Sequence, residues 1–155
     1  MNTEERIQKQ RELIEIIGRF YENEGLQPTA GRIMALLMVM DKERYTFDEI
    51  IEELQISKSS ASIALRMLQI RGDVDYITVP GDRKRYFEIK KRDALSLFDD
   101  IENKMKESKE LLQQILDLKA NGDSPNARFF KELIKVLDFF FERIEFFKEE
   151  FRKNR

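Results

Sequence analysis

Residues 46–89, reading TFDEIIEELQISKSSASIALRMLQIRGDVDYITVPGDRKRYFEI, constrain the fold of this chain more than any other stretch. Thr46 followed three residues later by Glu49 is a capping box, and Phe47, Ile50, Ile51 and Leu54 continue from it at helical spacing. A short turn at Gln55-Ile56 separates this helix from a second one. Ser57 reads as the N-cap of that second helix, Ala61, Ala64, Leu65 and Leu68 as its inward stripe, and Gly72 as its stop. Val74 to Val79 alternates as a strand, Pro80-Gly81-Asp82 signals a turn, and Arg85 to Ile89 returns as a second strand. Two helices joined by a tight turn, followed by a hairpin tipped with basic residues, describe a winged helix-turn-helix. The expected fold class is therefore mainly α, with an α+β winged domain.

The residue types suit DNA. A helix lying in a groove about 12 Å wide needs a small, polar or basic outer face near its N-terminus. The second helix carries Lys58, Ser59, Ser60 and Ser62 there, with Arg66 a turn further on. Serine hydroxyls and a helix N-terminus donate to phosphates, and serine also reaches base edges. Ser60, Ser62 and Arg66 are expected to share one face. Arg83, Lys84 and Arg85, on the wing, are placed to reach the backbone or the adjacent minor groove. Charge agrees with this reading. The chain carries a net −2, yet residues 57–92 hold nine Lys/Arg against four acids. Residues 1–56 hold seven against twelve, and residues 93–155 twelve against fourteen. Positive charge gathered into one segment of an acidic protein is the footprint of a nucleic-acid surface.

Gly31-Arg32-Ile33 leading a helix, Ile56-Ser57-Lys58-Ser59, and Val79-Pro80-Gly81-Asp82-Arg83-Lys84 together resemble the GbsR-like branch of the MarR-type winged-helix regulators. The resemblance covers about residues 25–90, and the flanking helices match only in pattern. It implies a homodimeric regulator that represses or activates genes, with repression the expected mode, and it leaves room for a small-molecule effector of unknown identity. The sequence departs from the family pattern at Arg71 and Asp73, where apolar residues are usual. It departs again at Asp75 and Tyr76, where a basic and a bulky apolar residue are common.

Composition removes whole classes of chemistry. Without Cys there is no disulfide, thiolate nucleophile or sulfur ligand. Without His the commonest metal ligand and the commonest general base are both missing. The glycines form no phosphate-binding loop. The chain is expected to be no enzyme and to need no metal or cofactor. No apolar run is long enough to span a bilayer, and the charged start MNTEERIQKQ is unlike a signal peptide, so a cytoplasmic location is expected.

The flanks read as helices. Residues 2–23 carry Ile7, Ile14, Ile17 and Tyr21 on one stripe, widened by Leu13, Ile16 and Phe20. Residues 30–40 are almost wholly apolar, which predicts a buried spine; Arg32 near its start has either an acid or the DNA backbone as partner. Tyr45 suits a short third strand. A helix over 93–121 places Phe98, Ile101, Met105, Leu112 and Ile115 on a seam, and Ser124-Pro125 opens a last helix to about residue 153. In that helix Phe130, Leu133, Leu137, Phe140, Ile144 and Phe147 keep three-four spacing. Phe129, Val136, Phe139 and Phe146 add a second stripe. One neighbouring helix cannot bury so much, so the six residues of the first stripe are assigned to a homodimer interface. The alternative, phenylalanines lining an effector pocket, lacks the tryptophan that aromatic cages favour. The expected organisation is a winged domain over 24–92, with 1–23 and 93–155 forming a helical dimerisation bundle. A protein-docking winged helix without sequence-specific DNA binding is the rival function. RNA binding is weaker, for want of an aromatic stacking platform.

Overall fold

The computed structural model describes residues 1–155 and resolves them into two compact units, 1–91 and 92–155. The first contains α1 (Thr3–Asn23), α2 (Pro28–Val39), β1 (Tyr45–Thr46), α3 (Phe47–Leu54), α4 (Lys58–Arg71), β2 (Val74–Thr78) and β3 (Arg85–Ile89). The second contains α5 (Ala94–Leu118) and α6 (Pro125–Lys153).

In the first unit α2 is the spine. Residues 30–37 are buried except Arg32, and Ile33, Leu36, Ile50 and Leu68 are the largest side chains sealed from solvent. Arg32 has an acid as its partner: its guanidinium donates to Glu22 at 2.7 Å and Glu15 at 3.2 Å, both on α1, and to the Pro28 carbonyl at 3.1 Å. The strands form an antiparallel sheet in the order β1-β3-β2, with Tyr45 and Tyr76 flanking Phe87. The expected third strand at Tyr45 is present, and its ring is in the core.

The expected boundary at residue 24 cuts this unit. Helix α1 belongs to it because Ile14, Ile17 and Tyr21 close onto α2. The two helices cross at a pair of glycines. A Cβ on Gly31 would stand 2.9 Å from the Gly18 carbonyl oxygen, and one on Gly18 would stand 2.9 Å from the Arg32 Cγ. Hydrogen at Gly31 lets the two backbones come this close, and hydrogen at Gly18 leaves room for the Arg32 stem. The far side of α1, with Leu13, Ile16 and Phe20, stays exposed.

The second unit is an antiparallel helical hairpin, closed at its open end by the Arg155 guanidinium on Asp93 (2.9 Å). Helix α5 stops at Leu118, three residues short of the expected end, and Ser124 caps α6 with Pro125 in its first turn. The expected α5 seam is corrected. Phe98, Ile101 and Ile115 are exposed, whereas Leu95 and Glu102 are buried and Met105, Leu112 and Leu116 half-buried. Glu102 is buried because Lys148 of α6, also buried, bonds to it and to Asp99 (2.6 Å to the latter), while Lys106 binds its other oxygen at 2.7 Å. Opposite charges facing each other across the hairpin replace an apolar pair, and a hydropathy pattern passes over them.

Candidate nucleic-acid interface

The helix-turn-helix is set by its caps. Thr46 Oγ1 accepts from the Glu49 amide (3.2 Å) while the Glu49 carboxylate accepts from the Thr46 amide (2.8 Å), which is the capping box expected from sequence. Gln55 closes α3 in the left-handed region, φ 52°, with the Ile56 amide donating back to the Ile51 carbonyl. Ser57 then caps α4 by accepting from the Ser60 amide at 3.1 Å. Gly72 ends that helix at φ 76°, and the Asp73 amide reaches the Leu68 carbonyl.

Of the residues predicted to meet DNA on α4, Lys58, Ser59, Ser62 and Arg66 are exposed. Ser60 is corrected. It does not share a face with Ser62 and Arg66, because two steps of 100° turn it to the other side of the helix. It is half-buried, and its hydroxyl accepts from Ser57 Oγ at 2.8 Å. Its role in the structure is in the cap.

The wing is pre-formed by its own turn chemistry. Pro80 and Gly81 (φ 84°) occupy the two central positions, and the Asp82 amide closes the turn on the Val79 carbonyl at 3.0 Å. The Asp82 carboxylate accepts from the Lys84 amide (2.9 Å) and from the Tyr86 hydroxyl (2.8 Å). These two bonds, the amide first, hold the Asp82 carboxyl below the usual aspartate range, and the same contact raises the Tyr86 phenol. Arg83, Lys84 and Arg85 project from this turn, all exposed.

Between α4 and the sheet runs a groove of about 660 Å³, lined by Phe47, Ser62, Leu65, Arg66, Tyr76 and Arg85 among others. The Arg85 guanidinium lies 5.5 Å from the centre of the Tyr76 ring, which meets Phe87 edge-on at 5.8 Å. Tyr76 therefore positions a basic side chain at the groove mouth. The sequence shows it only as a departure from the family pattern; its cross-strand register with Phe87 was the available signal.

Pairing sorts the basic residues of 57–92 into two groups. Arg71 binds Asp73 at 2.8 Å, Lys90 binds Asp75 at 3.8 Å, Lys91 binds Glu43 at 2.9 Å and Arg92 binds Asp100 at 3.2 Å. The other five, Lys58, Arg66, Arg83, Lys84 and Arg85, have no carboxylate within ion-pair distance. These are the five that the sequence assigns to DNA. The acids at 73 and 75, which depart from the family pattern, pair with Arg71 and Lys90 rather than with any of those five side chains.

The dimer residues sort by exposure as well. Ile144 is buried and Phe130, Leu133, Leu137 and Phe140 are half-buried within the chain, and Phe147 lies 5.3 Å from the ring of Phe98. Much of this stripe is thus already covered. The open apolar side of α6 is the second stripe, where Phe139 is 57% and Phe146 65% exposed, with Phe129 and Val136 beside them. No phenylalanine lines the groove at the hairpin tip, which is walled by Gln113, Leu116, Asp117, Lys131, Ile134 and Lys135. No group of acids is arranged to hold a metal, and no helix is long and apolar enough to cross a membrane.

Comparison with known proteins follows the same line. No protein-family model matches the chain. It is 32% identical over 119 residues to the HTH-type transcriptional regulator MmpR5 of Mycobacterium tuberculosis, covering 76% of this chain and 70% of that protein. A crystal structure of a transcriptional regulator superposes with a TM-score of 0.68 at 26% identity, over 94% of this chain and 99% of its own. Transcriptional regulator Tm0710 from Thermotoga maritima superposes at 0.43 with 19% identity, over 90% of this chain and 96% of its own.

Proposed function

This chain belongs to the MarR-type helix-turn-helix transcriptional regulators, and from that premise we propose that it acts as a homodimeric repressor reading an inverted-repeat operator. In this reading α4 enters the major groove with Ser59, Ser62 and Arg66 outward, and the β2–β3 wing binds phosphate through Arg83, Lys84 and Arg85. One observation carries it. The five basic side chains on α4 and the wing are left without acid partners, whereas their four neighbours in the same segment are neutralised. An unpaired, solvated cation releases phosphate counterions on binding at no cost in broken ion pairs.

The homodimer rests on apolar surface. The stripes of α1 (Leu13, Ile16, Phe20) and α6 (Phe129, Val136, Phe139, Phe146) are left exposed within the chain, and a second copy is the surface that buries both by symmetry. Placement in the GbsR-like branch rests on the sequence segments 31–33, 56–59 and 79–84, and an effector would follow from that placement.

The test is selection of binding sites from a random duplex library, followed by titration at several salt concentrations. Enrichment of inverted half-sites about one helical turn apart is the expected result, since a two-fold dimer presents its recognition helices about 34 Å apart. Binding that ignores sequence altogether would instead favour a docking module.

A further inference from the structure

The outermost ridge of α4 is not wholly polar. Its buried stripe is Ala61, Ala64, Leu65 and Leu68, and at 100° per residue the opposite side of the helix falls on Ser59, Ile63, Arg66 and Ile70. All four are exposed; Ile63 is 60% and Ile70 79% open to solvent. Isoleucine is a poor choice for such positions. Its branched Cβ restricts the side chain against the preceding turn, and at this exposure little burial energy offsets that. A local rule broken with no gain inside the chain points to a contact made outside it.

Resting on the reading of α4 as the recognition helix, we infer that Ile63 reads the 5-methyl group of a thymine in each half-site. It is the sixth residue of α4, in the second turn, one turn beyond Ser59 and flanked by Ser62 and Arg66. Within the first three turns of this ridge it is the one apolar group among hydroxyls and a guanidinium. It matches the floor of the major groove, where the thymine methyl is the apolar feature amid donors and acceptors. Ile70 lies two turns on, roughly 10 Å further along the axis, beyond the bases that the second turn reaches.

Deoxyuridine removes that methyl and nothing else, so it isolates the contact. Each thymine of one half-site in the selected operator is replaced in turn, and the full-length protein is titrated against every duplex. Wild type should lose roughly fourfold in affinity at one position, the equivalent of one buried methyl group. Ile63→Ala should bind more weakly yet be indifferent to uracil there, while Ile70→Ala should keep the wild-type penalty. A selected operator with no uracil-sensitive thymine, or an Ile63→Ala protein that retains the penalty, overturns the inference alone. A protein that selects no operator removes the regulator reading with it.

Discussion

Individual side chains divide into those that hold the interface and those left free to use it. Arg83 and Lys84 stand on a turn ordered by Asp82, so replacing both with Ala should leave the wing folded. Affinity should then fall for all duplexes alike, with the salt slope reduced by roughly 0.9 for each phosphate that is no longer neutralised. Ser62→Ala should instead relax discrimination at one base position, and Arg66→Ala, in the third turn, should behave as a phosphate contact. Titrations against the operator and its single-base variants at two salt concentrations separate the outcomes; a wing variant that loses specificity would reverse the roles. Ser57→Ala belongs to a different class, costing about 1 kcal/mol of folding stability because the α4 cap is removed.

The buried Lys148 behaves differently again. Removing it by Lys148→Met leaves Glu102 sealed with Lys106 as its remaining cation, a loss expected toward the lower end of about 3–5 kcal/mol. Removing both charges with Lys148→Met and Glu102→Leu should restore most of that stability, since a packed apolar pair avoids desolvation. Acid should show the same pair. Lys106 and then Lys148 hold the Glu102 carboxyl below the usual glutamate range. Its contribution is therefore fully present above an unfolded value of about 4.3 and is lost as pH falls through the lower folded value. Thermal unfolding from pH 7 to 3 should drop more steeply for wild type than for the double variant.

Among the elements, α1 and α2 depend on a close crossing. Gly31→Ala would drive a methyl group against the backbone carbonyl of Gly18 rather than against a movable side chain. Overpacking of this kind costs about 1–3 kcal/mol, so chemical denaturation should show a lower midpoint with an unchanged slope. Because Arg32 also ties α2 to Glu22 and Glu15 of α1, the same variant should loosen α1 first, seen as faster amide exchange along that helix. A stability equal to wild type would mean that the crossing can widen at no cost.

For the whole molecule, the question is what covers the open phenylalanines. Leaving Phe139 and Phe146 in water forgoes roughly 1.5–3 kcal/mol for each when fully buried, so full-length protein should sediment as a dimer at micromolar concentration. Phe139→Glu with Phe146→Glu should yield a monomer that keeps its helical content and binds the operator far more weakly. Phe130→Ala, on the covered stripe, should lower the stability of the hairpin more than it shifts the dimer equilibrium. A stable wild-type monomer would sink the dimeric reading.

Residues near in sequence were legible and residues brought together by folding were not. The capping box at Thr46, the Ser57 cap, the Gly72 stop, the Pro80-Gly81 turn and the last helix all rest on contacts within a few residues, so composition and spacing suffice to place them. Charge clustering marked nine basic residues, and their places on the second helix and the wing singled out five, but only the folded chain shows that the other four are neutralised. Ser60 was misplaced because serine serves equally as cap partner and base reader, and only the helix phase separates the two. Periodicity revealed that α6 carries more apolar surface than one partner can bury. Which stripe α5 covers is seen only in the fold, where Lys148 meets Glu102 and Asp99, residues up to 49 positions apart. They meet across the hairpin on the side of α6 that α5 covers, and Phe139 and Phe146 lie on the side left facing out.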